Sequence, residues 1–202
     1  MLITNLKNFF IKEIKGAIHI GAHHAEEKEW YTSNNIKNVI WIEANPNYYD
    51  VIKQKVGDDL VIISGVGSEN KKIKFNISNN GQSSSVLDFG THSYSHPDVF
   101  YVDSIDIEIK TMETLYKDNN INMDSFNFLN MDIQGYELEA LKGFGNLIEN
   151  FDYIYTEVNT NEVYKGCPLL SDIDEYLSNF GFKREVTEIT GWNWGDALYV
   201  KS

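Results

Sequence analysis

Along the chain, short apolar runs rich in Ile, Val, Phe and Tyr alternate with segments whose apolar residues recur at helical spacing. This is the pattern of strands and helices in an open, mostly parallel α/β sheet. Leu2, Ile3, Leu6, Phe9, Phe10 and Ile14 predict an amphipathic helix over residues 1–15 that covers a sheet edge. A strand is expected at Ala17–Gly21, a helix at Ala25–Asn34 and a second strand at Val39–Glu43. Pro46 suits the first position of the next helix, with Asn45 as its N-cap, and a third strand follows at Leu60–Val66.

The rhythm then breaks. Lys72–Ile77 and Ile105–Lys110 read as strands, and the stretch between them, residues 79–104, carries Gln82, the consecutive serines 83–85, two histidines and several aromatics. Such a length inside a compact domain suggests a lid or substrate loop. Alternation resumes with a helix at Met112–Lys117, strands at Phe126–Met131 and Tyr153–Val158, and a helix at Tyr136–Lys142 between them. Ser171 and Asp174 predict a capping box opening the last helix, which stops at Asn179. Phe182–Thr190 and Ala197–Val200 close the chain as a hairpin.

The 202 residues predict one domain. With 42% hydrophobic and 23% charged residues the chain is a folding globular protein, not a disordered or disulfide-built one. A formal charge of −13 and a lone arginine, Arg184, argue against nucleic acid and anionic membrane as partners. The single Cys167 and the want of an apolar leader or spanning segment lead to the expectation of a cytoplasmic protein.

Candidate chemistry lies at the carboxyl ends of the strands, where doubly wound sheets bind ligands. Gly21 ends the first strand and Glu43 the second; a carboxylate there suits a vicinal ribose diol. The loop Gly21-Ala22-His23-His24-Ala25-Glu26 has one glycine where a dinucleotide fingerprint needs three, and its acids oppose phosphate. NAD is therefore disfavoured, and a nucleoside without phosphates, such as S-adenosylmethionine, is favoured. Asp132 and Glu157, at the tails of later strands, are the catalytic candidates. Gln82, Ser83, Ser84, His92, Trp192 and Trp194 are the candidates for acceptor binding. The histidines fall into two groups, His19/His23/His24 and His92/His96, without a tight metal-ligand spacing such as H-E-x-x-H, so no metal site is expected.

Several segments together resemble the FkbM-type methyltransferases: Ile18-His19-Ile20-Gly21-Ala22-His23, Glu43-Ala44-Asn45-Pro46, Gly81-Gln82-Ser83-Ser84, Asn130-Met131-Asp132-Ile133-Gln134-Gly135-Tyr136-Glu137, Thr156-Glu157-Val158 and Gly195-Asp196-Ala197-Leu198-Tyr199. The resemblance implies a Rossmann-like class I methyltransferase fold, a seven-stranded, mostly parallel sheet with helices on both faces and an antiparallel closing hairpin. It implies S-adenosylmethionine as cofactor, bound by Gly21, Ala22, His23, Glu43, Ala44, Asn45, Gly67 and Asp132, and a small-molecule or glycan hydroxyl as acceptor. The chain departs from the family pattern at four places: His19 stands for Asp, Ala25 for Gly, Asn130 for Lys and Gln134 for an acid. Those departures leave open a Rossmann-like module that binds a ligand or partner without turnover; a nicotinamide-dependent oxidoreductase is the weaker alternative.

Overall fold

The computed structural model describes residues 2, 3 and 5–202. Its elements run β1 (Ala17–Ile20), α1 (Lys28–Ser33), β2 (Val39–Glu43), α2 (Tyr49–Val56), β3 (Leu60–Ile63), β4 (Gly65–Val66) and β5 (Lys71–Ser78). They continue through α3 (His92–Ser95), β6 (Tyr101–Lys110), α4 (Met112–Asp118), β7 (Phe128–Met131), α5 (Glu137–Phe144), β8 (Tyr153–Asn159), α6 (Leu170–Ser178), β9 (Phe182–Ile189) and β10 (Trp194–Lys201).

All residues of β1, β2, β7 and β8 are buried. This is why they read as unbroken apolar runs: strands covered on both faces have no solvent side to mark with polar residues. The main sheet has seven strands in the order β3-β2-β1-β7-β8-β10-β9. The first five are parallel and β10 runs antiparallel to both β8 and β9. The chain winds outward from β1 to β3, then returns to lay β7 on the other side of β1, so the tails of β1 and β7 flank the switch point where such sheets open a crevice.

Two apolar clusters fill the two faces. One gathers Met112, Leu115, Leu141, Phe144, Ile173 and Leu177 from α4, α5 and α6 against the sheet. The other sets Leu6, Tyr31, Ile52 and Val56 against Trp41, Phe128 and Tyr153. Fully burying a side chain of this size stabilises by roughly 1.5–3 kcal/mol, so each helix is held chiefly by this packing.

Three expectations are corrected. The N-terminal helix is a 3-10 turn, Leu6–Phe9, within the described residues. Beyond it the N–H groups of Ile11 and Lys12 donate to the Tyr153 hydroxyl, both at 2.6 Å, so a tertiary acceptor replaces the helical one. The single strand expected over residues 60–66 splits at Ser64: β3 stays in the main sheet, while β4 joins a separate three-stranded sheet, β4-β6-β5. Finally, α6 starts at Leu170, and the Leu169 N–H is accepted by Asp172 at 2.8 Å in place of the expected Ser171/Asp174 pair. Asp174 instead accepts from Arg184 and Tyr199, both at 2.8 Å.

Candidate active site

The tail of β1 begins the site. Gly21 has φ +86, and a Cβ built on it would lie 1.8 Å from the Asp132 carbonyl oxygen. Only glycine takes this backbone and lets the β1 and β7 tails approach so closely. The amides of Gly21 and Ala22 donate to the Ile42 carbonyl at 2.9 and 3.1 Å, which brings the following residue over the end of β2. There the His23 N–H donates to Glu43 Oε2 at 2.8 Å, and the Asn45 N–H to Glu43 Oε1 at 2.7 Å.

Each Glu43 oxygen thus takes one backbone amide and keeps further acceptor capacity. The residue is buried, and burial pushes its carboxyl above the ordinary range against the pull of the Asn45 and His23 amides. It lines a cavity of about 80 Å³ with Ile20, Ile42, Val66, Phe75 and Ile107. An acceptor-only carboxylate against apolar walls suits a ribose diol beside a base, so these residues fit the nucleoside end of S-adenosylmethionine.

A second cavity of about 520 Å³ adjoins the first, sharing Gly21, His23, Gln82, Asp132 and Gln134 as its wall. Five carboxylates line it, those of Glu26, Glu27, Asp132, Glu157 and Asp196, and among the described residues no lysine or arginine does. At its centre the Gln134 amide donates to Asp132 at 2.5 Å and to Glu157 at 3.0 Å, while accepting from the Tyr164 hydroxyl. Burial, then the neighbouring Asp132 and Glu137, raise the Glu157 carboxyl well above the ordinary value. Desolvation by the surrounding protein, then Asp196, raises Asp132 as well, although its side chain is open to the cavity.

The turn carrying Gln134 (φ +56) and Gly135 (φ +97) is tied by Glu137, which accepts the Ile133 and Gly135 amides, both at 3.1 Å. Burial, reinforced by Asp132, pushes the Glu137 carboxyl up to about 7. Beneath the cavity, His19 and Asn130 are register partners across β1 and β7. Asn130 Nδ2 lies 3.2 Å from His19 Nδ1 and donates to the Tyr31 hydroxyl at 2.8 Å, and His19 stacks on Trp41. At these two positions the chain therefore has a hydrogen-bonded His/Asn pair, with the Glu27 carboxylate 3.8 Å from His19 Nε2.

The segment between β5 and β6 folds back over the larger cavity. Isolated bridges tie Ser85 to Asn76 and Phe89 to Tyr164, and the Ser85 hydroxyl donates to the Gln134 carbonyl at 2.7 Å. His92 is carried in by α3 and stacks on Phe89 at 4.3 Å; burial and His96 lower its pKa to about 4, which leaves a neutral imidazole on the cavity wall.

The structure brings most of the candidates together. Glu43, Ala44 and Ser84 line the smaller cavity; Ser83, His92, Glu157 and Trp194 line the larger; Gly21, His23, Gln82 and Asp132 line both. Four lie outside the linings. Ala22 is packed in the core beneath the loop, and Asn45 caps the Pro46–Tyr48 turn through its side-chain oxygen. Gly67 packs against Gly143, and Trp192 is half exposed, edge-on to His96. Sequence reasoning missed Tyr155, Tyr164, Gln134 and Asp196 as site residues. Tyr155 had a signal: it stands two residues before Glu157 on one strand and so shares its face.

Residues 19–184 match the methyltransferase FkbM domain family. Among solved structures the fold is similar to a SAM-dependent methyltransferase from Aquifex aeolicus, with 13% identity and a TM-score of 0.51 over 98% of this chain and 87% of that one. It is similar also to a ribosomal protein L11 methylase from Lactobacillus delbrueckii subsp. bulgaricus, with 9% identity and a TM-score of 0.52 over 97% and 74%. A protein of the NADB-Rossmann superfamily from Streptococcus agalactiae shows 11% identity and a TM-score of 0.53 over 96% and 64%. No curated protein is significantly similar in sequence.

Proposed function

Because the chain belongs to the methyltransferase FkbM domain family, we propose that it methylates a hydroxyl of a small molecule or glycan held in the larger cavity. The chain is a methyltransferase, and S-adenosylmethionine is its methyl donor. The observation that carries the reading is the shared wall: the Glu43 corner opens on the Asp132 and Glu157 cavity through Gly21, Gln82 and Gln134.

The donor supplies an electrophilic methyl on a cationic sulfur. Glu43 would hold the ribose, and Asp132, beside the Gly21 loop, would offset the positive charge of the donor. Glu157 takes the acceptor's proton, since burial among like charges makes it a stronger base than an ordinary carboxylate. Gln134 holds the two carboxylates in place, and Gln82, Ser83, His92 and Trp194 contact the acceptor. Alignment of acceptor oxygen, methyl and sulfur supplies most of the acceleration; the base adds about 10²–10⁴-fold.

Two features speak for this reading over its competitors. His23 and Ala25 carry side chains in the β1–α1 loop, and Glu26 and Glu27 precede α1, which opposes a pyrophosphate. The acidic cavity and the net charge of −13 disfavour phosphate-bearing acceptors such as nucleic acid. No described helix is long and apolar enough to cross a membrane. The buried, unpaired Cys167 suits a reducing compartment such as the cytoplasm.

Calorimetric titration with S-adenosylhomocysteine tests the donor site: Glu43→Ala should lose affinity while the exposed Glu149→Ala keeps it. A labelled-methyl screen of sugars and hydroxylated metabolites tests the acceptor, with Glu157→Gln expected to lower turnover by about 10²–10⁴-fold. Absence of S-adenosylhomocysteine binding at millimolar concentration would refute the reading.

A further inference from the structure

The β1–α1 loop holds a cluster whose side chains the methyl transfer does not use. His23, His24 and Glu26 each offer one ligand atom, and these atoms all lie within 4.8 Å of one another. The two rings stack with centroids 4.0 Å apart, and Tyr48 closes edge-on against them at 4.8 and 4.9 Å. Glu26 reaches both residues, with Oε1 2.7 Å from His23 Nδ1 and Oε2 accepting the His24 N–H at 3.1 Å. Two residues in the left-handed region, His23 (φ +43) and Ala25 (φ +51), turn the backbone so that the three side chains converge.

Two imidazoles and one carboxylate form the donor set of zinc and its first-row neighbours, and three protein ligands leave a coordination position for water. We propose that His23, His24 and Glu26 form a binding site for a zinc-type divalent cation at the lip of the cofactor cleft. Binding replaces the His23 to Glu26 hydrogen bond with two metal bonds, and any proton on the rings leaves to solvent. The position has a consequence for the cleft: the His23 backbone amide holds Glu43, so a cation that pins the His23 ring also pins that amide.

Cobalt titration of the full chain, read by visible d–d absorption, together with zinc calorimetry, tests the site. One equivalent of Co²⁺ should give the intense bands of a low-coordinate complex. Affinity for both metals should fall at least tenfold in His24→Ala and in Glu26→Gln. Cooperative thermal unfolding shows that each variant folds, and if His24→Ala does not fold, Glu26→Gln decides. Metal-free wild type titrated with S-adenosylhomocysteine reports on the donor site separately, so a failure of that reading leaves the metal result standing. Unchanged metal affinity in a folded variant, or no stoichiometric Co²⁺ complex at submillimolar metal, overturns the proposal.

Discussion

Glu43 and Glu157 are buried carboxylates and Asp132 is an exposed one beside them in the same cleft, and they are held in different ways. Glu43 is gripped by the amides of His23 and Asn45, so its partners are main-chain groups that any sequence folding this way supplies. Asp132 and Glu157 are joined by the side chain of Gln134, itself held in a left-handed turn and anchored by Tyr164. The first arrangement tolerates change around it and fixes a carboxylate for one recognition task. The second depends on a single amide, and its two acids repel, which raises their affinity for protons and suits them to proton transfer.

Breaking the joint between the two regions should have the largest effect. Gly21→Ala places a Cβ against the Asp132 carbonyl, and urea unfolding should show a loss above about 4 kcal/mol. Next comes the neutral pair beneath the cleft. His19→Asp buries a charge without a partner, and should cost about 3–5 kcal/mol. Adding Asn130→Lys should recover most of that, and a double variant no more stable than the single one would show that the two positions do not compensate.

The acid cluster predicts a pH dependence. Glu137 has a folded value of about 7, above its ordinary 4.5, so the native state holds a proton that the unfolded chain releases first. Stability from this group is full below the unfolded value and is lost as pH rises through about 7. Asp132 and Glu157 are shifted in the same direction. The melting temperature should therefore fall between pH 5.5 and 8, and Glu137→Gln should flatten that fall; an unchanged slope in the variant would assign it elsewhere. The smallest effect is expected at Ala25, whose left-handed backbone (φ +51) is costly for a residue with a Cβ. Ala25→Gly should raise stability by up to about 1 kcal/mol in the same urea assay.

Much of the architecture was legible because burial on both faces writes itself into sequence as unbroken apolar runs, as at β1, β2 and β8. Gly21 and Glu43 were legible too, since strand ends of this fold demand particular residues there. The first turn was misread because apolar spacing cannot tell a helix from a strap whose amides bond to Tyr153. The split at Ser64 escaped because both halves are apolar in the same way, and only pairing with β6 separates them.

Sequence by itself determined the alternation of the main sheet's strands and helices, the identity of the strand-end acids and the departures at His19, Asn130 and Gln134, because these are properties of single positions and local periods. The tertiary structure alone decided what those departures mean. His19 and Asn130 lie 111 residues apart and become one pair through strand register, and Gln134 joins two acids from different strands. Such meanings arise between residues that only the packed sheet brings within hydrogen-bonding distance.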